Sequence, residues 1–151
     1  QILVSWNAQL KIDHIIVTND KVAADSLQVT LLTAVAPIGA KVSVLSIKDC
    51  VDYCNSPEAE KESIFIIAKY PEDGLGLVEN GIDMSVLNLG NQAFVRGSKK
   101  LSNFLYLTES GVKALKSLHD KGIRITCRMM PDQPDSEYWP TVEKKLPEWA
   151  K

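Results

Sequence analysis

Apolar positions in this chain switch between helical and strand-like spacing, with short polar or Gly/Pro punctuation between the two patterns. Gln1–Leu10 carries Leu3, Trp6 and Leu10 at helical spacing, widened by Ile2, and predicts a helix already under way. A β-branched strand follows at 13–18. The stripe Leu27, Leu31, Leu32, Val35 then predicts a helix over 23–36, stopped by Pro37 and Gly39. Lys41–Leu45 reads as a strand. Ser46, with Asp49 three residues on, reads as the cap of a helix bearing Ile47, Cys50, Val51 and Cys54. A polar stretch leads into Ser63–Ala68, apolar on both faces as a central parallel strand is. Pro71 suits the first turn of a short helix that Gly81 ends, and Ser85–Leu89 is the next strand.

From Gly90 the rhythm changes. Arg96-Gly97-Ser98 reads as a turn between extended segments, and Asn103–Leu107 is strand-like. Thr108 caps a helix through His119 that Gly122 closes, and Ile123–Cys127 is the last strand. The tail from Pro131 has no long period. It predicts a surface-wrapping segment over 131–151, with Trp139 and Trp149 as apolar anchors.

Strands separated by a helix's length of chain imply parallel pairing, because a parallel connection needs a crossover. The expected architecture is a single α/β domain over 1–151. Its sheet is open, mostly parallel and doubly wound, with helices on both faces and one antiparallel strand late in the chain. A helix that opens an α/β chain lacks the strand that feeds it. The pattern therefore predicts a first strand and first loop ahead of Gln1.

Composition narrows the class. The chain is 45% hydrophobic and 24% charged, with net charge −2 and pI about 5.7. That gives a foldable core and no basic footprint for nucleic acid. No apolar run approaches the ~20 residues that span a bilayer. Cys50, Cys54 and Cys127 read as buried thiols rather than as metal ligands.

In open α/β sheets, ligands bind outside the carboxyl ends of the strands. This rule selects Asn19 and Asp20 after the first strand, Ser46 after the second, Lys69 after the third, and Gly90, Asn91 and Gln92 after the fourth. Gln1 joins them, since the free N–H groups of the opening helix point into the same crevice and favour an anion. Each has a plainer reading. Asn19-Asp20 is a good helix-entry pair, Lys69 a solvated strand end, and Gly90-Asn91 a turn. Asp20 suits capping or orienting a neighbour better than touching a dianion. The set as a whole describes a phosphate-handling crevice.

No GxGxxG, P-loop, nucleophile elbow or metal-ligand cluster accompanies it. His14 begins a strand and His119 falls in the last turn of a helix, where a cation suits the dipole. Neither sits at a strand's carboxyl end. The numbered chain thus holds no catalytic nucleophile.

Several stretches together resemble a known family. They are Gln1-Ile-Leu-Val-Ser-Trp6, Ile15-Ile-Val-Thr-Asn-Asp20 with Val22-Ala23, Leu31-Leu32, Ala36-Pro-Ile-Gly39 and Lys41-Val-Ser-Val44. Further on come Ala68-Lys-Tyr-Pro-Glu-Asp73, Leu77-Val-Glu-Asn-Gly81, Val86-Leu-Asn-Leu-Gly-Asn91 and Leu118-His-Asp-Lys-Gly122. In order and spacing they resemble the IIB component of the mannose/fructose/sorbose class of bacterial sugar phosphotransferase systems, over about residues 1–130. The tail after Met130 is longer than the resemblance explains.

The resemblance implies a phosphoryl-carrier transferase subunit. A histidine in the loop after the first strand accepts phosphate from a IIA component and passes it to a sugar held by membrane IIC and IID components. Its signature, Arg-x-Asp-x-Arg-Leu-Ile-His-Gly-Gln, survives here only as Gln1, which puts the phosphohistidine just before the numbered chain. His14 and His119 match other positions and do not inherit the role. No metal or organic cofactor is implied. The location implied is cytoplasmic, docked at the membrane through IIC and IID. The alternative reading is a non-catalytic flavodoxin-like or receiver-like binding module. Against a receiver, the apolar third strand ends in Ala68-Lys69 rather than in a phosphoacceptor Asp.

Overall fold

The computed structural model describes residues 11–151. The opening helix expected over Gln1–Leu10 lies outside the described residues. The described chain forms two compact units: residues through Lys69 together with Gly76–Ile82, and Tyr70–Leu75 together with Asp83–Lys151.

The first unit is built on a three-stranded parallel sheet in the order β2-β1-β3, from β1 (His14–Thr18), β2 (Lys41–Leu45) and β3 (Ile64–Ala68). Period-2 alternation sends Ile15 to one face, where it packs with Ile12, Val42, Phe65 and Ile67. The predicted helix over 23–36 is corrected to two pieces, α1 (Asp20–Ala23) and α2 (Ser26–Thr33). The break has a local cause. The Asp25 carboxylate accepts the N–H groups of Leu27 and Gln28 and starts a new helix there. The apolar stripe that suggested a continuous helix is exposed, at 66% for Leu27, 59% for Leu31 and 61% for Val35. Two further helices, α3 (Ile47–Cys54) and α4 (Pro57–Glu60), link β2 to β3. The second of these, absent from the sequence reading, starts at Pro57 behind Ser56.

A polar cluster sits at the amino ends of these strands. His14, 1% exposed, places Nε2 2.7 Å from Ser43 Oγ and Nδ1 3.2 Å from Glu62 Oε1, and its ring meets the edge of Tyr53. Glu62 also accepts the Tyr53 hydroxyl and lies 3.6 Å from Lys41 Nζ. The Tyr53 hydroxyl first, then His14 and Lys41, hold the Glu62 carboxyl below its ordinary value of 4.5 against the opposing effect of desolvation. A carboxyl lowered on folding contributes stability that is complete above the unfolded value and lost as pH falls through the folded one. Acid melting therefore steepens below about pH 4.5, and Glu62→Gln flattens that limb of a pH series of thermal melts.

In the second unit β4 (Val86–Leu89) pairs in parallel with β7 (Arg124–Cys127), and β5 (Lys99–Ser102) forms an antiparallel hairpin with β6 (Leu105–Leu107). Its helices are α5 (Pro71–Glu79), whose C-terminal part belongs to the first unit, α6 (Glu109–Asp120) and α7 (Trp139–Lys145). Thr108 caps α6 by accepting Gly111 N–H, and Val112, Leu115 and Leu118 form its buried stripe. Part of the tail packs on this unit. Tyr138 N–H donates to Ile125 O along β7, Glu137 accepts Ile125 N–H, and Trp139 is buried with His119 stacked on its ring. The tail so engages a strand that would otherwise present unpaired backbone groups.

All three cysteines are free. Burial is the main cause that pushes the Cys50 thiol up to about 12, which makes it an unreactive core group.

Candidate functional site

The three strands of the first unit end in register, Thr18 opposite Leu45 on one side and Ala68 on the other. Asn19, Ser46 and Lys69 are therefore the next residues outward on adjacent strands. The fold thus brings together these sequence-selected positions. The chain leaves β1 toward β2, away from β3, so the gap between the ends of β1 and β3 is the kind of crevice in which α/β sheets bind ligands.

Asn19 is buried and extended, and its side-chain oxygen accepts Val22 N–H at 3.0 Å, capping α1. Asp20 reaches across. Its Oδ1 accepts Ile47 N–H, the first of α3, at 2.9 Å, while Ser46 Oγ accepts Asp49 N–H at 3.1 Å. Asp20 and Ser46 thereby use donors that an anion would otherwise meet at this helix start. The Asp20 carboxylate serves as a brace between the ends of β1 and β2. Lys69 is exposed directly after β3.

In the second unit, Gly90 and Asn91 follow β4, with Asn91 exposed. Gln92 then bonds β6 through its backbone, donating to Phe104 O and accepting Tyr106 N–H. Leu89 is opposite Cys127, so Arg128 is the neighbour of Gly90 on the adjoining strand end. Arg128 escaped the sequence reading, although the same strand-end rule applied to Ile123–Cys127 selects it. It is held in place: its N–H and carbonyl bond the Asn88 side chain, and Nη1 donates to Pro131 O at 2.9 Å.

A cavity of about 180 Å³ lies in this unit between the starts of α5 and α6, lined by Tyr70, Glu72, Gln92, Tyr106, Thr108 and Ser110 among others. Glu72 accepts the Ser110 hydroxyl at 2.9 Å, tying the two helix starts together. A Cβ on Gly111 would sit 3.2 Å from Thr108 Oγ1 and 3.4 Å from Glu72 Oε1, close enough to crowd both side chains. Among the described residues, this cavity is lined by a carboxylate and by no cation. Its electrostatics suit a hydroxyl-bearing group better than a phosphate.

Gln1 lies outside the described residues. Among the described residues no group of three or more His, Cys, Asp or Glu converges to hold a metal, and no helix is long and apolar enough to cross a membrane.

Comparison with known proteins bears on all of this. The family described as "PTS system sorbose subfamily IIB component" matches residues 1–150. The chain is 30% identical over 144 residues to the mannose-specific EIIAB component of Escherichia coli (strain K12), covering 95% of this chain and 45% of that protein. It therefore spans just under half the length of that relative. It is 30% identical over 134 residues to the sorbose-specific EIIB component of Klebsiella pneumoniae, covering 89% of this chain and 82% of that protein. The crystal structure of the IIBSor domain of the sorbose permease from Klebsiella pneumoniae superimposes with a TM-score of 0.91 at 27% identity, covering 97% of this chain and 90% of that one.

Proposed function

The chain belongs to the sorbose subfamily of IIB components of the sugar phosphotransferase system, and we propose that it carries a phosphoryl group from a IIA donor to a sugar held by IIC and IID partners. The observation that carries the reading is the in-register trio of strand ends, Asn19, Ser46 and Lys69, beside the switch of direction at β1. The carrier is a histidine ahead of Gln1, on the loop that enters this crevice. Its imidazole nitrogen attacks the phosphorus of the donor's phosphohistidine. One P–N bond forms as the other breaks, and the donor imidazole leaves neutral. A sugar hydroxyl then attacks the same phosphorus, the carrier nitrogen departs, and the hydroxyl proton is released.

Little covalent work falls to the rest of the site, so its share is positioning and charge. Lys69 offsets charge on the transferring oxygens. Asn19 and Asp20 hold the ends of β1 and β2 rigid through their caps. Gly90 and Asn91 shape the turn after β4. The protein works at the cytoplasmic face of the membrane, docked through IIC and IID. The complete protein incubated with a phosphorylated IIA donor is expected to take up one acid-labile, base-stable phosphate. His14→Gln and His119→Gln leave that uptake intact. Failure of the complete protein to label, or loss of label in either variant with its fold preserved, sinks the reading.

The same proposal extends to the fold, with 1–151 as one IIB-like domain, a reading the family match over 1–150 supports. The crossovers from β1 to β2 and from β2 to β3 run in opposite directions, so right-handed connections put their helices on opposite faces of a doubly wound sheet. β3 is apolar at every position, yet among the described residues it is an edge strand. An apolar edge of this kind calls for a partner. A strand ahead of Gln1 pairing along β3 supplies it. The Ile64–Ala68 amides are then expected to exchange hydrogen more slowly in the complete protein than in the chain beginning at Gln1. Equal rates would remove the proposed pairing.

A further inference from the structure

The hairpin of the second unit presents an outer face that the phosphoryl chemistry does not use. Alternation along β6 turns Leu105 and Leu107 inward, 1% and 2% exposed, and puts the half-buried Tyr106 on the other face, while Phe104 stands in the turn between β5 and β6. Phe104 is 57% exposed. Phe94, 65% exposed, meets the half-buried Tyr106 ring edge-on with centroids 5.8 Å apart. Lys100 is the cross-strand partner of Tyr106 and shares its face. Arg96 projects from the adjoining turn, which is closed by Ser98 N–H to Val95 O with Gly97 at φ 86°. The left-handed φ suits glycine and fixes this turn.

Charge on the segment is one-sided. Asn91–Leu107 holds Arg96, Lys99 and Lys100 and no acid, in a chain of net charge −2. Lys99 is spoken for by Glu148 and the Trp149 ring. Arg96 and Lys100 are exposed, and among the described residues neither has an ion-pair partner. Exposed rings interleaved with uncompensated cations need an apolar layer lying beneath a negative one. The boundary of an anionic bilayer has that order, with acyl chains for the rings and headgroup phosphates for long basic side chains that extend past them. The hairpin is also backed by the buried Leu101, Leu105 and Leu107, which hold the rings outward without ordering on contact.

We propose that the exposed surface of the β5–β6 hairpin and the turn leading into it, presented by Phe94 and Phe104 with Arg96 and Lys100, is a contact surface for anionic phospholipid. The contact is weak and electrostatically steered. It orients the domain on a membrane surface without anchoring it, since stable anchoring takes stronger signals than one short patch.

The test is flotation of the complete protein with protein-free vesicles at low ionic strength. One set contains equal parts phosphatidylcholine and phosphatidylglycerol, the other phosphatidylcholine alone. The expected result is binding to the anionic vesicles, little to the zwitterionic ones, and release in about 1 M salt, where screening shortens to ~3 Å. Arg96→Ala with Lys100→Ala should weaken binding about thirtyfold, each basic residue contributing roughly a factor of five. Phe94→Ser with Phe104→Ser should weaken it at least as much. These side chains are exposed, so circular dichroism is expected to show both variants folded. Equal binding to both vesicle types, or unchanged binding in either variant, overturns the proposal. So does failure to bind protein-free vesicles while native membranes retain the protein, which assigns the face to a protein partner instead.

Discussion

Lys69→Ala in the complete protein is expected to slow phosphoryl transfer from the proposed IIA donor by about 10²-fold and to leave the fold intact. The direction follows from register. Ala68 is opposite Thr18, so Lys69 stands beside Asn19 at the mouth of the crevice between β1 and β3. A transferring phosphoryl group carries its charge on oxygens that a fixed cation stabilises most when the P–N bonds are partly formed and partly broken. Loss of one such donor in an enclosed site costs about 10²–10³ in rate. Lys69 is exposed, and solvent weakens its field, so the lower end of that range applies. Because the interaction belongs to the transition state, the loss falls on the single-turnover rate more than on donor affinity. Lys69→Arg keeps the charge and should recover most of the rate. Stopped-quench measurement of phosphate transfer decides it. A wild-type rate in Lys69→Ala would make Lys69 a solvated strand end and move the electrostatic role to other groups.

The strand ends that define the candidate site were legible because the rule that selects them depends only on where strands stop. β1, β2, β3, β4 and β7 each announce themselves by apolar or β-branched runs, and their last residues fall where the period ends. The same logic missed Arg128, since the strand-end set was closed at the fourth strand while β7 contributes an end of its own. The helix over 23–36 failed for a different reason. A stripe of Leu27, Leu31 and Val35 implies a buried face, but the described chain leaves all three exposed, and the Asp25 cap divides the helix. Periodicity reports which residues share a face and not what covers it. The cavity between α5 and α6 was invisible because its residues come from three separate stretches that no local pattern links. The flavodoxin-like or receiver-like alternative was open on the residues alone. What displaces it is the match to the IIB family across nearly the whole chain.

His14 separates structural from catalytic histidine most sharply, and His14→Ala is expected to cost about 2–4 kcal/mol of stability without touching the chemistry. The side chain is fully enclosed and ties three segments distant in sequence: β1 through its own backbone, β2 through Ser43, and the approach to β3 through Glu62. Removing the ring leaves a void against Tyr53 and strips partners from a hydroxyl and a carboxylate. For a domain of this size, each kcal/mol shifts the melting temperature by about 2–4 °C, so a drop of roughly 6–12 °C is the central expectation. His14→Gln restores part of the hydrogen bonding and should fall between the variant and the native protein. Phosphate uptake from the IIA donor, measured well below the melting point, stays at the native level in both. That split follows from position. His14 lies at the amino end of β1, four residues before Thr18, and a strand of five residues separates it from the crevice by about 13 Å at ~3.3 Å per residue. An unchanged melting temperature would show the cluster to be incidental. Loss of phosphate uptake with the fold preserved would return His14 to the list of candidate carriers.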